Sequence, residues 1–173
     1  FGYQEYGIEP DVMTLAKALG GGAPIGAFLA KEKCAVLEPG DHGSTFGGNV
    51  LACATAYAST KYIVDNDVPA QAKAIGGYLR KRLEDLAARQ PAIVEVRGMG
   101  MLLAVQFTSE IAAKVLTECN ELGLLLNAVR PNAVRLMPPL TLTQEEVDLG
   151  VERLESGIQR AVQRDPYTVC VTR

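Results

Sequence analysis

The sequence is short of the residues that most often mark a special function. It has one histidine, His42, and four cysteines, Cys34, Cys53, Cys119 and Cys170, scattered and without a CxxC pair. That spacing offers no zinc site and no disulfide framework, so no metal is expected and reduced thiols in a cytoplasm are the simplest setting. Basic residues are not in excess: 17 Lys and Arg face 20 Asp and Glu, a formal net charge of -3. Nothing therefore points to nucleic acid or to an anionic membrane surface. No apolar run reaches the roughly 18 residues that span a bilayer, and Phe1-Gly2-Tyr3-Gln4-Glu5 has neither the basic start nor the apolar stretch of a signal peptide. No internal repeat or low-complexity segment is present.

What is there is apolar: 48% of the 173 residues are hydrophobic, enough for one core or two small ones. Val12-Met13-Thr14-Leu15 reads as a short buried strand, and Ile25 to Ala30 as a second. Lys31 to Leu37 has the composition of a short helix closed by Pro39-Gly40. Asn49 is placed to cap a helix from Val50 to Tyr62, apolar or small on nearly all sides and so expected to be buried. Asp65-Asn66-Asp67 is a polar break suited to a domain boundary. Beyond it, Ile75, Leu79, Leu83 and Leu86 recur at helical spacing up to Pro91, with Pro69 suited to the first helical position.

Strands are then expected over Ile93–Val96, Met101–Phe107, from Leu124-Leu125-Leu126, and over Ala133–Met137. Thr108 or Ser109 would cap a helix carrying Ile111, Val115, Cys119 and Leu122, with Gly123 ending it. Thr143 and Glu146 form a capping box for a last helix carrying Val147, Val151, Leu154, Ile158 and Val162. The domains expected are thus residues 1–66 and 67–163, with 164–173 as a tail.

Three groups carry chemistry. Lys17 lies just past the first strand, within Thr14-Leu15-Ala16-Lys17-Ala18-Leu19, and Gly20-Gly21-Gly22 follow it. Ligands of α/β sheets gather at the carboxyl ends of strands. A lysine desolvated by such neighbours loses its proton more readily and becomes a nucleophile toward carbonyls; the plain alternative is a lysine snorkelling to water. The second group is Asp41-His42-Gly43-Ser44-Thr45-Phe46-Gly47-Gly48-Asn49, where hydroxyls, glycine N–H groups and a helix start make an anion cradle or simply a glycine-rich turn. The third is Arg135, inside an apolar strand, with Leu136 and Met137 between it and the Pro138-Pro139 stop: either a fork for a carboxylate, or a structural arginine at an edge or paired with Glu95 or another acid.

In this order the motifs resemble the C-terminal half of a class III (fold type I) pyridoxal-phosphate aminotransferase. The matching stretches are Gly7-Ile8-Glu9-Pro10-Asp11, Thr14 to Gly22, Pro24-Ile25-Gly26-Ala27, Gly40 to Asn49, Arg97-Gly98-Met99-Gly100-Met101 and Arg135-Leu136-Met137-Pro138-Pro139-Leu140, together covering about residues 1–162. The resemblance implies an α/β fold, the end of a large cofactor-binding domain followed by a smaller α+β C-terminal domain. It implies pyridoxal 5'-phosphate as cofactor, held by Lys17, which is also the catalytic acid and base. It implies that Ser44 and Thr45 reach the cofactor phosphate, Thr45 across the interface of a homodimer, and that Arg135 grips a substrate carboxylate. The implied substrates are an amino-acid donor aminated at its ω position and 2-oxoglutarate; Gly98 and Gly100 are implied to be structural. The family's phosphate loop, ring-stacking aromatic, ring-nitrogen aspartate and second carboxylate-binding arginine would precede Phe1. The sequence therefore reads as a piece of a longer chain, inactive by itself and prone to self-association through exposed apolar surface. A non-catalytic interaction domain is the competing reading.

Overall fold

The computed structural model describes residues 1–163; the expected tail at 164–173, with Cys170, lies outside the described residues. The chain divides into two compact units, one from Phe1 to Asp67 and one from Val68 onward.

The first unit opens with a single helical turn, α1 (Gly2–Glu5), followed by β1 (Val12–Leu15), one 3-10 turn over Lys17–Gly20, β2 (Ala27–Ala30), a second 3-10 turn over Glu32–Cys34 and α2 (Val50–Asp65). The strands form an antiparallel pair in which Val12 faces Ala30 and Leu15 faces Ala27. Both fall where the apolar runs place them, but β1 alternates between exposed and half-buried and is not a buried strand. A two-stranded ribbon buries little on either face unless another layer packs against it. The helix expected over Lys31–Leu37 shrinks to the one turn Glu32–Cys34, because Pro39 and Gly40 lie too close for a second turn to be worth its nucleation.

Helix α2 begins at its sequence signal: Asn49 Oδ1 accepts the Ala52 N–H at 3.0 Å. Its expected burial does not hold. Only Ala52 and Ala56 are buried, while Val50 is 83% and Tyr57 70% exposed. The residues that pack are the small ones, on the side where the Lys17–Gly20 turn lies against α2.

The second unit is a two-layer α+β fold. Its elements are α3 (Val68–Arg89), β3 (Ile93–Met99), β4 (Leu102–Phe107), α4 (Ala112–Glu121), β5 (Asn127–Arg130), β6 (Ala133–Leu136) and α5 (Gln144–Gln163). The four strands form one antiparallel sheet in the order β3-β4-β6-β5. Period-two alternation sends Leu103, Val105 and Phe107 of β4 into the core, with Val134 of β6 beside them. Leu79, Leu83 and Leu86 of α3, Val115 and Cys119 of α4, and Val147, Val151, Leu154 and Ile158 of α5 close over that face.

The start and stop signals explain the helix ends. Thr143 N–H donates to Glu146 Oε2 at 2.9 Å and Glu146 N–H to Thr143 Oγ1 at 3.2 Å, the reciprocal capping box ahead of α5. At the end of α4 the Gly123 N–H reaches the Asn120 carbonyl and the Leu124 N–H reaches that of Cys119, a Schellman closure. Two expectations fail here. The residue preceding α4 is Ile111, with no side-chain cap, so neither Thr108 nor Ser109 serves; the buried Ile111 side chain sets the entry instead. Leu124 to Leu126 precede β5 rather than begin it, since the Schellman closure still directs the chain there. Helix α3 likewise starts at Val68, one residue before Pro69.

Polar bonds hold α3 to α5. Asp148 Oδ1 accepts from Tyr78 Oη at 2.8 Å and from Arg82 Nε at 2.7 Å. Arg89 grips Glu155 with two bonds, of 3.1 and 2.7 Å.

Candidate active site

Lys17 stands immediately after β1, where Ala16 is still extended (φ -161, ψ -154) and the chain turns sharply into the 3-10 turn. The lysine takes the turn itself, with φ +53. A side chain in this left-handed region crowds the following carbonyl, at a cost of about 1–2 kcal/mol. Among the described residues the only other non-glycine at positive φ is Asp67, a type that tolerates it better. Such strain persists where a function needs a side chain in one place.

The expectation of a buried amine is corrected. Lys17 is exposed, Leu15 and Leu19 are only half-buried, and Ala16 and Ala18 are exposed. The apolar neighbours that suggested desolvation belong to an open ribbon and a single turn, and neither encloses the side chain. The amine makes no hydrogen bond or ion pair among the described residues.

The second group is a loop without regular structure. Every residue from Asp41 to Asn49 is exposed. Gly47 folds back so closely on Ser44 that an added Cβ would lie 3.0 Å from the Ser44 Cβ. The Asn49 N–H then donates to the Phe46 carbonyl at 3.2 Å and α2 starts. The Ser44 and Thr45 hydroxyls have no partner among the described residues. Unpaired hydroxyls in the loop that leads into a 16-residue helix suit a phosphate. No hydrogen bond joins Lys17 to Ser44 or Thr45.

Arg135, in the second unit, is at the middle of β6, half-buried on the sheet face away from the helices. The strand register sets it in one row with Arg97 of β3, Ala104 of β4 and Asn127 of β5. The acid suggested as its structural partner is taken: Glu95 Oε2 accepts from Arg97 Nη1 at 3.1 Å, and Arg97 also donates to Gln106. Arg135 has no carboxylate partner among the described residues. Its single bond is from Nη2 to Asn127 Oδ1 at 3.2 Å, and its Nε–H is buried without an acceptor. A buried donor left unmade costs about 1–3 kcal/mol, so a guanidinium held this way is ready for an acceptor. Nothing in the sequence singles out Asn127; it lies eight residues before Arg135 and only the β5–β6 register joins them.

Among the described residues no group of three or more His, Cys, Asp or Glu is placed to hold a metal ion, and no helix is long and apolar enough to cross a membrane.

The model of the family described as aminotransferase class-III matches residues 1–158. The chain belongs to the class III aminotransferases. Acetylornithine aminotransferase of Caldanaerobacter subterraneus subsp. tengcongensis is 44% identical over 155 residues, 90% of this chain and 39% of that protein. The acetylornithine aminotransferase of Methanothermobacter thermautotrophicus is 41% identical over 89% of this chain and 40% of its own length. Among solved structures, acetylornithine aminotransferase from Elizabethkingia anophelis superposes with a TM-score of 0.85 at 35% identity, over 91% of this chain and 41% of that one. Ornithine delta-aminotransferase of Plasmodium falciparum gives 0.85 at 34% identity, over 91% and 42%. This class III chain thus spans about 40% of the length of the curated relatives it matches, and its α/β architecture is that of part of a fold type I transaminase.

The residues fit the cofactor that class III enzymes use. A free amine suits the aldehyde of pyridoxal phosphate, and the two unpaired hydroxyls before the α2 N-terminus suit its phosphate.

Proposed function

We propose that this chain is the lysine-bearing portion of a pyridoxal-phosphate-dependent aminotransferase that takes the ω-amino group of N-acetylornithine and passes it to 2-oxoglutarate. The observation that carries the reading is Lys17: a class III lysine with an unpaired amine, set at a strained φ of +53 between a strand and a glycine loop. Acetylornithine aminotransferases at 41 and 44% identity favour that donor. Ornithine is the second reading, favoured by the likeness to the Plasmodium ornithine enzyme.

Pyridoxal phosphate, when bound, supplies the electron sink that makes a carbon–hydrogen bond next to the amino group acidic. Lys17 Nζ would hold the cofactor through its aldehyde and, when not so engaged, would serve as the positioned general base and acid toward the substrate carbon. Ser44 and Thr45 would hold the phosphate, Thr45 that of a second copy in a homodimer. Arg135 would grip a substrate carboxylate with its planar fork. The domains proposed are residues 1–66, which carry the amine and the hydroxyls, and 67–163, which carry the arginine.

The test is borohydride reduction of the protein mixed with pyridoxal phosphate, followed by peptide mapping. The label should fall on Lys17, and Lys17→Ala should abolish it. Activity of the holoenzyme should fall by about 10²–10⁴-fold or more in that variant, the range for losing a positioned proton carrier. Labelling that persists in Lys17→Ala, or lands elsewhere, overturns the proposal. Comparing N-acetylornithine, ornithine, succinyldiaminopimelate and 4-aminobutyrate as donors separates the substrate readings.

A further inference from the structure

We infer that Ile25 is a positioning residue for Lys17, its γ2 methyl propping the strained turn that carries the amine. The inference rests on the reading of Lys17 as the cofactor-bearing lysine and adds what holds that lysine in place.

Lys17 takes φ +53, which a side chain adopts only at a cost. Such a conformation persists where the surroundings over-determine it. Backbone bonds wind the chain that follows: Leu19 N–H donates to the Ala16 carbonyl at 3.1 Å, Gly21 N–H to that of Ala18 at 3.0 Å and Ala23 N–H to that of Gly20 at 3.1 Å. These bonds are local, and a first turn fixes more backbone than one bond repays. Packing against two neighbours supplies the rest. Helix α2 lies against the turn, and a Cβ built on Gly21 would stand 3.7 Å from the Ser59 Cβ, an ordinary van der Waals contact. Ile25 is closer. A Cβ built on Gly20, the buried residue of the turn, would stand 2.9 Å from Ile25 Cγ2, so that methyl sits directly against the Gly20 backbone.

The place of Ile25 in the chain suits the task. Leu15 of β1 pairs with Ala27 of β2, so residues 16–26 form one hairpin connection. Lys17 is near its start, and Ile25 near its end closes it by meeting Gly20. Branching at Cβ leaves isoleucine few rotamers, which makes the methyl a stiff prop. The contact is with the turn, so any effect on the chemistry passes through Lys17.

The experiment compares holoenzymes carrying Ile25→Val, Ile25→Ala, Gly20→Ala and the last two together. Ile25→Val keeps the γ2 methyl and should hold kcat within about twofold of the parent. Ile25→Ala removes it and should lower kcat by about tenfold or more with KM within about twofold, since a displacement of about 1 Å can cost about 100-fold. The kinetic isotope effect on a donor deuterated at the carbon that loses its proton should rise with that fall, because the step served by Lys17 has slowed. Gly20→Ala pushes on the same contact and should lower kcat as well. In the double variant the Cβ added at Gly20 fills the space the methyl left, so kcat should recover above that of Ile25→Ala. Borohydride labelling of Lys17 at limiting pyridoxal phosphate should follow the same order without turnover. Thermal melts identify a variant that fails to fold; if Ile25→Ala is one, Gly20→Ala decides, and parent-like kcat and labelling there would overturn the inference. Parent-like kcat, isotope effect and labelling in a folded Ile25→Ala would overturn it too, as would a loss in Ile25→Val as deep as that in Ile25→Ala. In each case an unlabelled Lys17→Ala leaves the reading of Lys17 standing, whereas labelling that persists in Lys17→Ala removes that reading itself.

Discussion

Cys119 is a nucleophilic side chain that the fold has put out of use. It lies in the core between α4 and α5, and burial, with the Glu118 charge adding to it, pushes its thiol from 9.0 up to about 11. The sign of the linkage follows. Between about pH 9 and 11 the unfolded chain has released this proton while the folded chain keeps it, so rising pH favours unfolding. Below about pH 9 both states are protonated and the group has no influence. The urea midpoint should therefore fall across that window, and Cys119→Ala should fall less steeply than the parent. Parallel curves for the two proteins would show that the thiol does not titrate as described. Residue-level chemistry was unevenly legible in the sequence. Lys17 and Arg135 could be singled out because a charge inside an apolar run is rare. The strain at Lys17, its exposure and the Asn127 bond could not, since they depend on φ, on strand pairing and on which surfaces meet.

At the scale of elements, one close joint is the crossing of α4 and α5. A Cβ built on Gly157 would sit 2.4 Å from Cys119 Sγ and 3.3 Å from the Cys119 backbone nitrogen, so glycine is what allows the two helices to approach. Gly157→Ala should cost about 1–3 kcal/mol of stability, the usual toll of overpacking. Cys119→Ala in the same chain should return part of it, because the sulfur is the nearer obstacle, and denaturant unfolding of the four proteins in that cycle measures the coupling. Additive losses would show that the helices shift apart instead. Elements whose signals are local could be read from the sequence: the Asn49 cap, the Thr143–Glu146 box, the Gly123 stop and the leucine stripe of α3. Those that failed are set by tertiary context. The start of α4 follows the buried Ile111, and the burial of α2 depends on what packs over Leu51 and Tyr57, which no periodicity states.

The two units differ sharply in what holds them. In the first, the buried side chains are Ala52 and Ala56, two methyl groups against the Lys17–Gly20 turn. Val50, Leu51, Tyr57, Tyr62 and Val64 leave α2 with a largely apolar exposed surface, and Phe46 just before it is 83% exposed. The second unit has a continuous core running from Leu79 through Phe107 and Val134 to Ala161, three helices closing one face of a four-stranded sheet. Apolar burial contributes about 25 cal/mol per Å², so most of the chain's stability belongs to the second unit. A total hydrophobic content of 48% could not reveal this, because composition does not say which apolar residues find partners. Amide hydrogen exchange should therefore split at Asp67–Val68. Amides of β1, β2 and α2 should exchange through low-energy local opening, whereas those of β4, β6 and the middle of α5 should exchange only on global unfolding of their unit. A second copy covering the α2 surface would slow exchange across residues 50–65 as protein concentration rises, since only the associated form shields those amides. Equal protection in both units at the lowest measurable concentration would mean that α2 is held by something stronger than two alanines, and the division of stability drawn from burial would have to be abandoned.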